Sequence, residues 1–323
     1  MKRILSGIQP SGAFHIGNYF GMMQKMIQYQ DESDLFCFIA NDHAMTSLSE
    51  GPALARGTFE AAAAFLALGL DPAKATFWVQ SDVPEVQELT WVLSSLTPMG
   101  LLERCHSYKD KVARGIAANH GLFAYPVLMA ADILLFQSDV VPVGKDQKQH
   151  LEVARDLAIK FNNAFGDTFV VPEAEIDDEV AVIPGTDGQK MSKSYGNAIY
   201  ILTDKPTLKK AVMAIVTDAT PVEAPKDPDR CNLYAITRLF LGAEERSALR
   251  ERYQAGGLKY SDVKKELIEL IWNTFAPHRE RWDHYLANPG EVLRILEEGA
   301  EKARAAAAPT LTDVRKRVGL AYR

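Results

Sequence analysis

Short continuous apolar runs alternate along the first two hundred residues with stretches in which apolar positions recur every three or four residues. Lys2 to Ile8 is such a run and reads as a buried strand. Gln9-Pro10-Ser11-Gly12 supplies turn residues, and a helical pattern follows from Ile16 to about Tyr29. Leu35 to Ala40 is a second strand, closed by Asn41-Asp42-His43, and the alanine-rich stretch Ala53 to Leu70 is a strong helix. Thr76 to Gln80 and residues 84–96 repeat the unit. Strands alternating with helices at this spacing predict a doubly wound parallel (Rossmann-like) sheet, an α/β fold.

The pattern weakens at 98–122, a polar, basic, glycine-punctuated stretch read as a helical insertion with a mobile loop. Tyr125 to Phe136 is a mostly buried helix. The β-branched run ending at Val143-Gly144 then gives way at once to a helix at 147–165. In a parallel sheet such a strand-to-helix turn faces the ligand crevice, and Asp146 sits where the helix start favours polar ligand atoms. Val180 to Pro184 is a last short apolar segment, followed by GTDGQKMSKSYGN, a glycine-, serine- and lysine-rich loop without periodicity that reads as mobile. From Lys205 onward the pattern is amphipathic helix with charged faces, and Glu298 to Ala308 belongs to a long terminal helix. The expected organisation is a catalytic domain at 1–187, a second, α-helical domain at 188–300, and a C-terminal helix at 301–323 that packs back on the first.

With 323 residues, 47% hydrophobic and 24% charged, the chain has the make-up of a globular protein of about two domains. A net charge of −6 excludes a general nucleic-acid coat protein and requires local basic patches for any polyanion. Cys37, Cys105 and Cys231 show no disulfide or metal spacing, the apolar run at the N-terminus is too short for a signal-peptide core, and no window is long enough for a membrane span. A cytoplasmic protein with no membrane partner is expected.

Three constellations carry chemistry. His15 and Asn18, three apart at a helix start, offer an imidazole and an amide to a phosphate whose charge grows in a displacement. Gly17 between them lets a ligand approach the backbone. The alternative is an ordinary helix start. Lys190 and Lys193, three apart in Lys190-Met191-Ser192-Lys193-Ser194, can swing onto a polyphosphate, or can be a solvated basic loop. Tyr125, Met129 and Asp132 stand at i, i+4 and i+7, one helix face bearing an aromatic, a thioether and a carboxylate. That set suits a flat ring with one N–H, such as indole. Tyr125 and Met129 alone would read as core, but a carboxylate within MAADILLF needs a partner.

HIGN at 15–18 resembles the HIGH signature, and KMSKS at 190–194 the matching loop, of class I aminoacyl-tRNA synthetases. SGIQPSGAFHIGNYFG, YPVLMAADILL at 125–135 and VPVGKDQKQH at 141–150 resemble the tryptophanyl-tRNA synthetase family, over most of residues 1–200 and more loosely beyond. The resemblance implies a tryptophan–tRNA ligase that makes tryptophanyl-adenylate and pyrophosphate from L-tryptophan and ATP and passes the amino acid to tRNA(Trp), as a homodimer, with Mg²⁺ on the ATP and no dedicated metal site. It assigns Gln9, Pro10, Ser11, Gly17 and Asn18 to ATP and places His15 beside the α-phosphate. Gly144, Lys145 and Asp146 resemble the ribose-contacting turn, Ile183 the adenine-side contact, and Lys190 to Ser194 the pyrophosphate clamp. Lys111 resembles a further phosphate contact, with a solvated lysine as the alternative.

For the amino acid, the resemblance gives the indole N–H to Asp132, and Tyr125, Met129, His43, Gln147, Gln9 and Val143 to the surrounding pocket. His43 reads equally as a hydrogen-bonded core residue. Arg279, Arg281, Arg315, Lys316 and Arg317 offer phosphate contacts for tRNA, each alternatively part of a solvated helix face. The chain departs from many relatives at Leu5, where several have an aromatic, and at Tyr195-Gly196-Asn197 after the lysine loop. Tyrosyl-tRNA synthetase shares both signatures. A small nucleotidyltransferase would lack the lysine loop and the helical domain, and a non-catalytic RNA-binding relative could dispense with His15 or Lys193.

Overall fold

The computed structural model describes residues 1–10, 12–46, 50–105, 119–144, 147–176 and 183–323. Strands β1 (Arg3–Ile8), β2 (Asp34–Ile39), β3 (Thr76–Val79), β4 (Val140–Val143) and β5 (Glu173–Ile176) form one parallel sheet in the order β3-β2-β1-β4-β5. The first four are the expected strands. The fifth was not anticipated: Glu-Ala-Glu-Ile has no apolar run, because an edge strand meets solvent and charge there discourages further pairing. Of the apolar segment expected at Val180 to Pro184, residues 180–182 lie outside the described residues. Strand order reverses between β1 and β4, which pair at Ile4 opposite Val140, so a ligand crevice opens at their carboxyl ends.

The first crossover comprises α1 (Ile16–Asn18), a π-helical turn (Tyr19–Met23) and α2 (Gln24–Glu32). Next come α3 (Asn41–Ala44), α4 (Gly51–Leu68), α5 (Glu85–Ser94) and α6 (Met99–Glu103), then α7 (His120–Leu135) and α8 (Lys148–Phe165). Asn119 caps α7 by accepting the Leu122 N–H, so the helix begins five residues before the expected Tyr125 and carries Pro126 inside it. The remaining helices are α9 (Lys205–Met213), α10 (Asn232–Thr237), α11 (Ala243–Ala255), α12 (Tyr260–Thr274), α13 (Ala276–Ala287) and α14 (Pro289–Arg317).

Alternate strand residues feed two cores. Ile4, Ile8, Cys37, Ile39 and Phe77 pack on one face with Phe65 and, continuously, with Leu208, Leu267 and Ile271 of the helical region. Leu5, Phe36, Phe38 and Trp78 pack on the other with Leu134 and Leu157. Helix α14 contributes Val292, Ile295 and Leu296 to the first core and Ala303, Ala307, Leu311 and Val314 to the second. It passes the edge strand β3 at Gly299, where a Cβ would lie 1.7 Å from the Phe77 carbonyl oxygen. A single helix therefore runs through the domain boundary expected at residue 300.

Candidate active site

A cavity of about 320 Å³ opens at the carboxyl ends of β1 and β4. Gln9 and Leu5 come to its wall from the β1 side, Val143 and Gly144 from β4, Tyr125, Met129 and Asp132 from α7, and His43 and Gln147 from α3 and the foot of α8. Its volume is at the small end of the range for ligand pockets and its walls are mainly apolar. Leu5, 2% exposed, presents an aliphatic side chain to this wall.

Asp132 is 2% exposed and hydrogen-bonded through both of its oxygens. Gln80 Nε2 donates to Oδ1 at 2.8 Å and to Oδ2 at 2.9 Å, and His43 Nε2 lies 2.8 Å from Oδ2. Burial raises the Asp132 pKa above the usual carboxylate range, and the bonds from His43 and Gln80 oppose that shift. His43 thus lines the cavity and is a buried partner of Asp132. Two turns earlier on α7, Tyr125 Oη is bonded to His150 Nε2, and His150 Nδ1 lies 3.0 Å from Gln147 Oε1. The phenol and the amide are held together at the same wall.

The second wall begins after β1. His15 is 6% exposed and caps α1 reciprocally with Asn18: its Nδ1 accepts the Asn18 N–H at 3.2 Å, and its own N–H donates to Asn18 Oδ1 at 3.1 Å. Because Nδ1 accepts, the ring proton sits on Nε2. Burial, and then the charge of Lys193, lower the His15 pKa to about 4, so the imidazole is neutral near pH 7. Gly17 serves the chain itself: a Cβ there would meet His15 Nδ1 at 3.0 Å and Met191 Cβ at 3.3 Å. The space expected for a ligand at Gly17 is shared with the lysine loop.

That loop is tied to the first crossover by backbone pairing, since Ile16 donates to the Ile199 carbonyl at 3.0 Å and Ile201 to that of Phe14 at 3.2 Å. Lys193 is half-buried, with Nζ 5.6 Å from the Phe14 ring centroid and 3.9 Å from where a Gly12 Cβ would stand; desolvation lowers its pKa. Met191 is buried and donates to the Ile183 carbonyl at 2.9 Å, whereas Lys190 and Ser194 are exposed and Ser192 is partly buried. Asn197 organises the turn: Oδ1 accepts the Ser192 N–H at 2.8 Å, and Nδ2 donates to Asp187 at 2.8 Å and to the Lys190 carbonyl at 3.1 Å. The segment read as a mobile loop is hydrogen-bonded on both sides of its lysines.

Pro10 packs under α4, where a Cβ at Gly57 would touch its carbonyl oxygen at 3.0 Å. Ser11, Lys111, Lys145 and Asp146 lie outside the described residues. Of the five cationic residues expected to meet tRNA, Arg279 is buried and Arg281, Arg315, Lys316 and Arg317 are exposed. Arg279 is 9% exposed and stacks with its guanidinium carbon 3.6 Å from the Trp272 ring centroid, which corrects its reading as a surface phosphate contact. Arg281 donates to the Ala67 carbonyl at 2.8 Å, Arg315 forks onto Glu88, and Arg317 bonds Asp313 at 2.7 Å and the Phe165 carbonyl at 2.9 Å. These arginines join elements of the fold; Lys316 is exposed. Gln80, His150 and Asn197 were not singled out from sequence. Each is a buried polar residue beside or within an apolar or loop stretch, the signal by which Asp132 was found.

Residues 1–276 match the family described as tRNA synthetases class I (W and Y). The chain is 54% identical over 318 residues to the tryptophan–tRNA ligase of Campylobacter jejuni strain RM1221, covering 98% of this chain and 100% of that one. It is 51% identical to the tryptophan–tRNA ligase of Fusobacterium nucleatum, covering 99% and 98%. The crystal structure of Campylobacter jejuni tryptophanyl-tRNA synthetase complexed with ADP and tryptophan superposes with a TM-score of 0.94 at 53% identity, covering 98% of this chain and 99% of that one. With its sheet order, its paired signatures and this agreement along nearly the whole chain, the protein belongs to the class I aminoacyl-tRNA synthetases and, within them, to the tryptophanyl-tRNA synthetase family.

Proposed function

We propose that the chain is a tryptophan–tRNA ligase: a carboxylate oxygen of L-tryptophan attacks the α-phosphorus of ATP, the bond to the β-phosphate breaks, and tryptophanyl-adenylate and pyrophosphate result. A hydroxyl of the terminal ribose of tRNA(Trp) then attacks the activated carbonyl and releases AMP. The observation that carries this reading is Asp132, a buried and hydrogen-bonded carboxylate at the wall of a small apolar cavity. It accepts the indole N–H, while Tyr125 and Gln147 take the ammonium end and Met129, Val143 and His43 flank the ring. A buried acceptor whose substrate donor is missing in a competing amino acid can discriminate by roughly 10⁴ to 10⁵.

On the nucleotide side, neutral His15 donates from Nε2, and Asn18 and the backbone around Gln9 to Gly12 receive the phosphates. Lys193, already drawn toward Phe14 and Gly12, and Lys190 at the turn hold the pyrophosphate as it departs. Gly144, Lys145 and Asp146 take the ribose, Ile183 faces the adenine, and Ser11 and Lys111 complete the phosphate contacts. No side chain becomes covalent, so catalysis is placement and charge stabilisation. Mg²⁺ enters on the ATP; among the described residues no three His, Cys, Asp or Glu side chains converge on a metal position. We place the enzyme in the cytoplasm as a homodimer. Among the described residues no helix is long and apolar enough to cross a membrane.

ATP–pyrophosphate exchange, measured with each amino acid separately, tests the proposal. Exchange should depend on tryptophan and fall by about 10² or more in Lys193→Ala, the scale of one lost transition-state charge contact. Exchange driven by tyrosine, or unchanged in Lys193→Ala, overturns it.

A further inference from the structure

The carboxylate that reads the substrate ring is itself held from behind by a residue outside the cavity wall. Gln80 follows the last residue of β3 and is 0% exposed. Its Oε1 accepts backbone N–H groups at the start of α3, from Asp42 at 3.1 Å and His43 at 3.4 Å. Those two donors set the amide orientation: turning it over would put Nε2 against N–H groups and Oε1 against a carboxylate. Nε2 therefore faces Asp132 and bridges both of its oxygens, at 2.8 and 2.9 Å.

One amide thus couples three elements, the end of β3, the start of α3 and the middle of α7. It fixes the plane of the Asp132 carboxylate and, through the backbone of residue 43, the ring that meets Oδ2 at 2.8 Å. With His43 on Oδ2, the less occupied acceptor is Oδ1. We infer that Gln80 is a positioning residue for amino-acid selection: it aims Asp132 Oδ1 at the ring N–H of the substrate and, by bonding the carboxylate, supports its acceptor form in a buried site. The inference rests on the tryptophan reading above and deepens it. Nothing in it requires Gln80 to touch the substrate.

The test compares two substrates in one protein. L-tryptophan and benzothienylalanine share ring shape, but sulfur replaces the N–H in the second, which gives Asp132 nothing to accept. In Gln80→Leu, the ratio of kcat/KM for tryptophan to that for benzothienylalanine should fall at least about tenfold from its wild-type value, the scale of one charge-assisted hydrogen bond. The loss should appear in the KM for tryptophan, with the KM for ATP unchanged. If Gln80 only props up the fold, both substrates suffer alike and the ratio is unchanged, which overturns the inference. Should Gln80→Leu not fold, Gln80→Met, unbranched and of matching length, carries the same ratio. A wild-type protein that activates neither substrate fails the tryptophan reading itself. A wild type that prefers tryptophan, with a variant that keeps that preference, fails only the role given to Gln80.

Discussion

His15 concentrates several constraints in one side chain. It is an N-cap, so its Nδ1 is committed to a backbone N–H; it is buried, so the imidazolium is penalised; and Lys193 adds repulsion against a second positive charge. The cap determines the tautomer and the burial determines the charge, and together they leave a neutral Nε2–H donor. Spacing alone exposed the pairing of His15 with Asn18, but the charge state was open, because it depends on Lys193 arriving from 178 positions further along the chain. Between pH 6.5 and about 4 the unfolded chain carries a proton that the folded imidazole does not, so stability falls as pH is lowered through that window and levels off below it. NMR titration of the His15 ring should give a midpoint near 4 in the free protein, rising when ATP is added, since phosphate charge favours the imidazolium. A midpoint of 6.5 in the free protein would show that the ring is solvated.

At the scale of elements, the strand-turn-helix units were legible because buried parallel strands are continuous apolar runs and each crossover helix carries one apolar stripe. The failures have physical causes. The helix expected from Tyr125 begins at His120 with Pro126 inside it, because its start is set by the Asn119 side chain. Strand β5 hides because an acidic edge strand has no apolar periodicity. Gln80 is visible only as the end of a strand, since what it does depends on partners at Asp42, His43 and Asp132. The lysine loop was recognisable from its five-residue string, but its anchoring was not: Asn197, noted only as part of a departure, supplies three bonds that fix the turn carrying Lys190 and Ser192. Replacing Asn197 by Ala leaves the Ser192 N–H without this acceptor and frees the Lys190 carbonyl. The expected outcome is a loss of about tenfold in kcat for pyrophosphate exchange with the KM for tryptophan unchanged, because the proposed role of the loop is with the phosphates and not with the amino acid. Steady-state kinetics with each substrate varied in turn would reveal it, and an equal rise in the tryptophan KM would contradict the separation of the two walls.

For the molecule as a whole, the sequence pattern implied two domains with a terminal helix folded back, and α14 joins the two cores that lie on the faces of the one sheet. The helix feeds Val292, Ile295 and Leu296 to the core shared with the helical region and Ala303, Ala307, Leu311 and Val314 to the core on the opposite face of the sheet. It can do so only by passing the β3 edge at van der Waals range, and Gly299 is the residue that permits it. This passage also covers an edge strand that would otherwise be available for unwanted pairing. A Cβ at 299 would fall 1.7 Å from a backbone carbonyl that cannot rotate away without breaking β3, so Gly299→Ala must push the helix off the strand. The alanine gains in helix propensity by less than about 1 kcal/mol, while overpacking against fixed backbone costs about 3 kcal/mol. The variant should therefore unfold at lower denaturant. Because α14 belongs to both cores, a probe in the helical region, Trp272 or Trp282, and a probe on the sheet, Trp78, should report one shared and equally shifted transition. Separate transitions, with the sheet retaining its wild-type midpoint, would mean that the two cores fold independently and that the helix only lies against them.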